Sequence, residues 1–305
     1  MAFIERTHCP VCKGSSAHQL LQMPMDSGLV WDFLTTYYAA AISADVLTGM
    51  QYILLQCETC QTIWQKQILD DATLNQLYDE WIDPDQSLIR KQKVSPESRS
   101  TLARQCAQIA TLFTGTDIHV LDFGMGWGDW LKMAVAYGFH ADGIETSERR
   151  IAYAREHCLN TVIPQDITLE RYHFINAEQV FEHLPLPNET LSSCYQWLKP
   201  GGVVRISVPD GTHTARKIAA KKWSIAEATT HPLEHINAFT ATSLRRMGKD
   251  CGFEVIPPPL KLPMVGANLG QIKSFIGVGI RDMMIRFHIG LRTAVWLRKP
   301  DKTAR

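Results

Sequence analysis

The segment at residues 120–130 constrains the fold of this chain more than any other. A short apolar run is followed by Asp122, and glycines then alternate with other residues at Gly124, Gly126 and Gly128. Glycine lets the backbone turn sharply and lets a ligand approach without a side chain in the way. The pattern therefore predicts a strand ending in an acid, then a tight ligand-binding loop, then a helix.

Short apolar runs alternate with amphipathic stretches from about residue 118 onward. This alternation predicts βαβ units and a mostly parallel α/β sheet of seven strands. The predicted strands are His119–Phe123, Ala141–Glu145, Thr161–Pro164, Phe174–Ala177, Gly202–Val208, Phe253–Pro257 and Arg292–Arg298. The predicted helices are Trp130–Tyr137, Glu148–Cys158, Pro187–Trp197, Thr242–Cys251 and Leu269–Phe287.

Composition limits the class of protein. With 305 residues, of which 45% are hydrophobic, the chain can form about two domains with sizeable cores. Lys+Arg and Asp+Glu both number 31, so no excess of positive charge supports nucleic-acid binding. The N-terminal residues lack the apolar stretch of a signal peptide, and no window has 18 uninterrupted apolar residues. We therefore expect a cytoplasmic protein without a transmembrane helix.

Cys9 and Cys12 form one C-x-x-C pair, and Cys57 and Cys60 form another. In a long chain without a signal peptide, paired cysteines indicate metal binding in a reducing compartment. Four thiolates make the tetrahedral site that Zn²⁺ prefers in a structural role, with no position left for catalysis. The alternatives are two unrelated pairs or one redox motif, but neither pair follows the first strand of a βαβ unit.

These patterns predict three regions. Residues 1–65 form a zinc-ribbon-like module, in which the aromatic-rich insert 13–56 is packed. Residues 66–117 form a helical linker or lid, and residues 118–305 form the α/β domain.

The glycine loop resembles the first motif of the class I S-adenosylmethionine (SAM)-dependent methyltransferases, D/E-x-G-x-G-x-G. Further resemblances follow in order: Glu145 at the end of the second strand, the pair Glu182-His183, and the turn Leu198-Lys-Pro-Gly-Gly. His173 departs from the motif, which usually has an acid there. The resemblance implies a Rossmann-like fold that binds SAM through Asp122, Gly124, Gly126, Gly128, Glu145, Asp166 and Gln179.

The paired cysteines in front of this domain resemble a zinc-containing group of bacterial methyltransferases. That group includes sugar C-methyltransferases and enzymes of secondary metabolism, although the sugar enzymes are longer at the C-terminus. The resemblance implies a small-molecule acceptor such as a sugar, a nucleotide-sugar or a secondary metabolite, methylated on oxygen, nitrogen or carbon.

Two histidine-containing stretches follow predicted strands at the edge of the sheet where ligands bind in open α/β folds. Methyl transfer requires alignment of donor and acceptor and removal of a proton from a weakly nucleophilic acceptor. Histidine suits the role of base because its ordinary pKa is near neutrality. We expect His183 or His235 to be the base, with Glu182, His231 or Glu234 orienting it or binding substrate. Positioning without any base remains an alternative.

Three other function classes fit the sequence less well. A catalytically inactive SAM-fold scaffold would use the zinc module for interactions, but Asp122, Glu145 and the glycines are all present. An NAD-dependent oxidoreductase would have a third glycine where this chain has Asp129. A nucleic-acid methyltransferase would have a basic surface and an N/D-P-P-Y-type motif after the fourth strand, and the sequence has neither.

The predicted helix Leu269–Phe287 and the residues after it are basic and amphipathic. Its apolar stripe includes Phe275, Ile280 and Met284, and Arg281 and Arg286 interrupt it. A helix of this kind can lie on a membrane surface. We expect it instead to pack on the α/β domain, which is the more common arrangement.

Overall fold

The computed structural model describes residues 3–39, 41–82, 88–89, 95–259 and 292–301. Its strands are β1 (Phe3–Glu5), β2 (Ala17–Pro24), β3 (Gln51–Cys57), β4 (Ile63–Gln65), β5 (Gln67–Leu69), β6 (His119–Phe123), β7 (His140–Ile144), β8 (Asn160–Thr161), β9 (Tyr172–Glu178), β10 (Leu198–Pro209), β11 (Asn237–Ala238), β12 (Glu254–Ile256) and β13 (Arg292–Arg298). Its α-helices are α1 (Gly28–Tyr37), α2 (Ala44–Leu47), α3 (Asp71–Gln76), α4 (Pro96–Leu112), α5 (Asp129–Ala136), α6 (Glu148–Glu156), α7 (Pro187–Trp197), α8 (Thr214–Ala219) and α9 (Ala241–Asp250).

The chain forms two compact units that alternate along the sequence. The first unit comprises Met1–Val94, Gln179–Leu191 and Pro209–Asp250. The second unit comprises Ser95–Glu178, Ser192–Val208 and Cys251–Arg305. The predicted linker 66–117 is divided between the two units after Val94, and two segments that follow strands of the α/β sheet belong to the first unit.

The second unit contains the predicted seven-stranded sheet, which is confirmed, with the order β12-β13-β10-β9-β6-β7-β8. Pairing is parallel from β10 through β9, β6 and β7 to β8, whereas β12 pairs antiparallel with β13. The central strands β9 and β10 are buried along most of their length, as expected for strands covered on both faces.

Aromatic residues fill the core of the second unit. The ring of Phe174 on β9 lies 6.2 Å from the ring of Trp130 and 5.5 Å from that of Trp296. Helix α4 packs on this core through Cys106 and Ile109, both of them fully buried. Its start is marked by Ser95, whose hydroxyl accepts from the Ser98 amide at 3.3 Å.

The first unit is built on an antiparallel sheet with the order β11-β4-β3-β2, beside a two-stranded sheet of β1 and β5. The insert between the cysteine pairs supplies β2, α1, α2 and most of β3. Its side chains Leu34, Leu47 and Tyr52 are fully buried in one hydrophobic cluster. The prediction that the insert is packed is therefore confirmed.

Most predicted elements of the α/β domain lie within two residues of the observed ones, and α7 and β13 match at both ends. The third strand is an exception. It is only Asn160–Thr161, and the chain then forms a 3₁₀ turn at Pro164–Asp166.

The predicted helix Leu269–Phe287 lies outside the described residues. None of the helices in the described ranges has the length and apolar character needed to span a bilayer.

Candidate functional site

The glycine loop joins the end of β6 to the start of α5. All three glycines have left-handed backbone angles, with φ of 74° at Gly124, 56° at Gly126 and 74° at Gly128. A Cβ at Gly128 would also lie 2.5 Å from a methyl group of Leu159, whereas a Cβ at Gly126 would enter open space. Gly128 is therefore required by packing, and Gly126 leaves room beside the backbone for a ligand.

Glu145 follows β7 directly and contacts the glycine loop. Its Oε2 accepts from the amide of Gly126 at 3.0 Å, and its Oε1 accepts from the amides of Thr146 and Ser147 at 2.9 and 3.1 Å. These bonds fix the carboxylate at the carboxyl edge of the sheet. Both lone pairs of Oε1 are used by these amides, and Oε2 retains one lone pair that can accept from a ribose hydroxyl.

Asp122 lies in a buried polar network instead of on the loop surface. The side-chain amide of Asn176 donates to Asp122 Oδ1 at 2.9 Å. Arg205 donates to Asn176 Oδ1 at 3.0 Å and to Glu178 Oε2 at 2.5 Å. Burial raises the pKa of Asp122 to about 7. Asp122 is therefore hydrogen-bonded to a side chain of the neighbouring strand β9.

The other two predicted SAM-binding residues lie in turns. Asp166 ends the 3₁₀ turn after β8 and is exposed. Gln179 follows β9 with a left-handed φ of 57° and is half-buried. A non-glycine residue with this backbone conformation is uncommon, and such strain concentrates at functional sites.

The four predicted metal ligands form one cluster in the first unit. The Sγ atoms of Cys9, Cys12, Cys57 and Cys60 all lie within 4.8 Å of one another. Cys9 and Cys60 are separated by 3.5 Å, and Cys12 and Cys57 by 3.4 Å. A tetrahedral zinc ion with Zn–S bonds of about 2.3 Å places sulfurs about 3.8 Å apart. The donor set and its spacing therefore fit a Zn²⁺ ion.

The two C-x-x-C turns have the same backbone geometry. The amide of Lys13 donates to the carbonyl of Cys9 at 3.0 Å, and the amide of Gln61 donates to that of Cys57 at the same distance. Lys13 and Gln61 both have left-handed φ angles, of 59° and 61°. Two equivalent turns thus present two thiols each.

Glu182, His183 and His235 form a second cluster in the first unit, with ligating atoms within 4.8 Å of one another. The two imidazole rings lie edge to face, with centroids 4.6 Å apart. Glu182 is buried, and its Oε1 is 4.0 Å from His183 Nε2. The hydroxyl of Tyr78 is 3.2 Å from His183 Nδ1. A buried carboxylate here stabilises positive charge on either ring.

His231 is buried beside this cluster among aromatic rings. Its ring centroid is 5.0 Å from that of Phe33 and 4.3 Å from that of Tyr37. Burial lowers the pKa of His231 to about 4, so the ring is neutral at physiological pH. Its Nδ1 is 2.7 Å from the carbonyl of Pro232, which indicates that the proton is on Nδ1.

Glu234 is held by a tyrosine. The hydroxyl of Tyr38 donates to Glu234 Oε1 at 2.6 Å, and burial together with this carboxylate raises the pKa of Tyr38. Tyr38 therefore remains a hydrogen-bond donor at any physiological pH, and the carboxylate of Glu234 keeps a fixed orientation.

Three residues that the sequence analysis missed hold the two histidine segments together. Arg6 donates to Asn237 Oδ1 at 2.8 Å and to the carbonyl of Ile236 at 2.7 Å. The side-chain amide of Gln65 donates to the carbonyls of His231 and His235, both at 3.2 Å. Asn237 in turn donates to the carbonyls of the segment that carries His183. We call Arg6, Gln65 and Asn237 the polar clamp.

The sequence gives little indication that the residues of the polar clamp come together. Arg6 and Asn237 are 231 positions apart, so no local pattern relates them. Gln65 ends an otherwise apolar strand and is fully buried. A polar residue at a buried strand position is the one feature that indicates a required hydrogen bond.

Comparison with known proteins agrees with this geometry. A family model described as a methyltransferase domain matches residues 93–257, which is more than half of the chain. The chain belongs to this methyltransferase domain family. The SAM-dependent methyltransferase domain that the glycine loop and the strand pattern predicted is therefore confirmed.

The curated relatives of this methyltransferase domain include ubiquinone biosynthesis O-methyltransferases. That of Colwellia psychrerythraea is 25% identical over 155 residues, covering 40% of this chain and 63% of the relative. That of Methylococcus capsulatus is 30% identical over 138 residues, covering 42% and 55%. The chain thus spans less than two thirds of the length of these relatives. The resemblance to the sugar C-methyltransferases stays a prediction.

Solved structures with similar folds include the plantazolicin methyltransferase BpumL in complex with SAH, with a TM-score of 0.49 and 18% identity over 74% of this chain and 94% of that one. Another is a SAM-dependent methyltransferase from Archaeoglobus fulgidus, with a TM-score of 0.44 and 19% identity over 75% of this chain and all of that one.

Proposed function

We propose that the protein transfers a methyl group from SAM to a hydroxyl oxygen of a small molecule. The observation that carries the proposal is the cluster of Glu182, His183 and His235, whose ligating atoms lie within 4.8 Å of one another. Oxygen is a weak nucleophile until it loses its proton, and a pair of imidazoles beside a buried carboxylate can accept that proton. Membership in the methyltransferase domain family supports the transfer itself.

SAM supplies an electrophilic methyl group on a sulfonium centre when it is bound. The positive φ angles of the glycine loop and the open space at Gly126 support a close approach of this ligand to the backbone. Glu145 would accept a hydrogen bond from a ribose hydroxyl, and Asp166 would accept one from the adenine amine. Asp122, Gly124, Gly128 and Gln179 shape the loop around the amino-acid end.

The base is the histidine pair. His235 takes the acceptor proton, and the adjacent His183 ring and Glu182 carboxylate stabilise the imidazolium that forms. Tyr78 orients His183 through its hydroxyl. His231 is held neutral by burial, so it lines the acceptor site without taking a proton. Glu234 binds a polar group of the acceptor. When SAM is bound, its sulfur–carbon bond would break as the oxygen–carbon bond to the acceptor forms, and His235 would hold the acceptor proton.

The acceptor is a hydroxylated, planar or ring-shaped molecule. Phe33 and Tyr37 provide aromatic faces next to the histidines, and such faces stack on phenolic rings and on the apolar face of sugars. The names of the curated relatives favour a phenolic hydroxyl. A nucleotide-linked sugar is the second candidate, and the paired cysteines of the N-terminal module favour it.

The four cysteines hold a structural zinc ion in this proposal. Saturation of the site by thiolates leaves no coordination position for substrate. The ion joins the start of the chain to the hairpin between β3 and β4.

The first experiment is calorimetric titration with SAM and, separately, with NADH, on protein of measured zinc content. We expect SAM binding, no NADH binding and about one zinc per chain. Formation of SAH is then measured with a panel of catechols, hydroquinones and nucleotide-linked deoxysugars. Absence of SAM binding in zinc-containing protein would overturn the proposal and favour the inactive scaffold.

His235→Ala and His183→Ala test the base on any accepted substrate. Loss of general-base catalysis lowers turnover by about 10²–10⁴-fold while the Kd for SAM is unchanged. His18→Ala, at an exposed position of β2, is the matched control. Unchanged turnover in His235→Ala would remove this residue from the mechanism.

A further inference from the structure

Three histidines form a row across three neighbouring strands of the second unit. His119 opens β6 and is in register with His140, which opens β7. His173 is the second residue of β9, and the parallel register Val120↔Phe174 places it beside His119. The rings of His119 and His140 are stacked with centroids 4.7 Å apart, and those of His119 and His173 are 6.2 Å apart. The row lies at the amino ends of the strands, at the opposite edge of the sheet from the glycine loop.

A carboxylate completes one end of this row. Asp117 Oδ1 is 2.9 Å from His119 Nε2 and 3.4 Å from His140 Nε2. All three ligating atoms lie within 4.8 Å of one another. One carboxylate oxygen therefore contacts two imidazole nitrogens that come from different strands.

We propose that Asp117, His119 and His140 bind a divalent transition-metal ion of the kind that prefers imidazole, such as Ni²⁺. Metal–nitrogen and metal–oxygen bonds are about 2.0–2.2 Å, which places neighbouring ligand atoms about 3.0 Å apart when the angle at the metal is 90° and about 3.4 Å apart in a tetrahedral arrangement. The separations from Asp117 are 2.9 Å for His119 and 3.4 Å for His140, which lie close to these two values. Water completes the coordination, because Asp117 and His140 are largely exposed.

The sheet supports the two imidazoles to different degrees. His119 has 31% of its side chain exposed and lies between the other two histidine rings. His140 has 63% exposed, so its ring can rotate to direct its Nε2 lone pair at the ion without disturbing the core. The site thus has one fixed imidazole, one adjustable imidazole and a carboxylate.

His173 and Lys199 lie on the side of His119 that is opposite His140 in the strand order. His173 Nδ1 accepts from the main-chain amide of His119 at 3.0 Å, which fixes the start of β6. Lys199, on β10, has its Nζ 3.2 Å from His173 Nε2. In the strand order, Lys199 is therefore separated from the three ligands by His173. His173 is thus a positioning residue for His119 and not a ligand.

The site is chemically distinct from the four-cysteine cluster and belongs to the other unit. Its ligands are two nitrogens and one oxygen, whereas the cysteines offer four sulfurs. An ion bound here joins β6 to β7 and stabilises the folded sheet, because it binds the native state alone.

The test is calorimetric titration of the zinc-loaded, full-length protein with Ni²⁺. We expect one Ni²⁺ per chain. His140→Ala and Asp117→Asn each remove a direct ligand. Each weakens Ni²⁺ binding by more than the roughly 10–100-fold that is lost when a residue hydrogen-bonded to a ligand is replaced. His157→Ala, which removes another exposed histidine of the same unit, is the matched control and leaves the affinity unchanged.

Carbon-detected or ¹H–¹³C spectra of the histidine rings locate the ion independently. Paramagnetic Ni²⁺ broadens the signals of His119 and His140 before those of any other histidine. A Kd weaker than about 1 mM, an equal loss of affinity in His157→Ala, or broadening that begins at other histidines would each overturn the proposal. None of these readouts depends on methyl transfer, so they are separate from the test of the proposed function.

Discussion

The side-chain amide of Asn237 donates to the main-chain carbonyl of Leu184 at 2.8 Å. The same amide is 3.3 Å from the carbonyl of Phe181. These carbonyls flank His183, while Asn237 itself lies two residues after His235. A single side chain therefore fixes the separation between the two histidines of the proposed base.

Asn237→Ala should destabilise the first unit and displace the histidine pair. The substitution removes the bonds from Asn237 to the carbonyls of Phe181 and Leu184 and the bond that Asn237 accepts from Nη1 of Arg6. A buried polar group left unsatisfied costs about 1–3 kcal/mol. Urea denaturation should show this decrease in the free energy of unfolding. Gln19→Ala, at an exposed position of β2 in the same unit, should cost less than half as much. Equal effects of the two substitutions would contradict a special role of Asn237.

Cys57→Ser should lower the zinc content from about one ion per chain to nearly none. A serine hydroxyl does not replace a thiolate in a tetrahedral sulfur site, and structural zinc contributes its binding energy to folding. Metal analysis of the purified variant and its thermal unfolding check this result. Cys158→Ser alters an exposed cysteine of the other unit and should retain the zinc. Full zinc content in Cys57→Ser would exclude this cysteine as a ligand.

Glu145→Gln should weaken SAM binding by about 10–100-fold. Hydrogen bonds to a charged acceptor contribute about 1.5–3 kcal/mol. The variant lacks the charge that strengthens both the proposed hydrogen bond from the ribose and the bond from the Gly126 amide. Calorimetric titration with SAM gives the change in Kd. Glu156→Gln, at an exposed position of α6, should bind SAM normally. An unchanged Kd in Glu145→Gln would remove this residue from the SAM site.

Asp122 should make stability depend on pH. Its pKa is raised by burial from an ordinary value of 3.8 to about 7, so the folded state binds a proton more tightly than the unfolded state does. This contribution is complete below about pH 4 and is lost as the pH rises to 7, with a magnitude on the order of 4 kcal/mol.

Asp122→Asn isolates this effect, because the amide oxygen of asparagine can still accept from Asn176. The difference in unfolding free energy between the variant and the wild-type protein should grow in favour of the variant from pH 4.5 to pH 7.5. His231 acts in the opposite direction, since its lowered pKa destabilises the fold at acidic pH. Parallel pH profiles of the two proteins would show that Asp122 does not titrate in this range.

The α/β sheet could be predicted from the sequence because its signals are local. Glycines at Gly124 and Gly126, an acid at Glu145 and a proline-glycine segment at the start of β10 each fix backbone geometry within a few residues. The cluster of four cysteines could be predicted for the same reason, since each C-x-x-C turn is a local motif.

The division into units could not be predicted, because it depends on long-range contacts. Nothing near Asn237 indicates that its strand pairs with the strand of Trp64 in the antiparallel sheet of the first unit. The row of His119, His140 and His173 was missed because only the parallel register brings these residues together. The short third strand was overestimated because Val162 and Ile163 are apolar but lie between the strand and the 3₁₀ turn that begins at Pro164.

The alternation of the two units along the chain has a consequence for biosynthesis. Strand β4 is made early, but its neighbour β11 and the partner of Arg6 emerge from the ribosome much later, since Arg6 and Asn237 are 231 positions apart. At about 5–20 residues per second, this delay is roughly 10–50 s. During that time the nascent N-terminal sheet has an open edge that other chains can occupy. The supply of chaperones during expression should therefore affect the yield of this protein more than substitutions on the surface of the folded protein do.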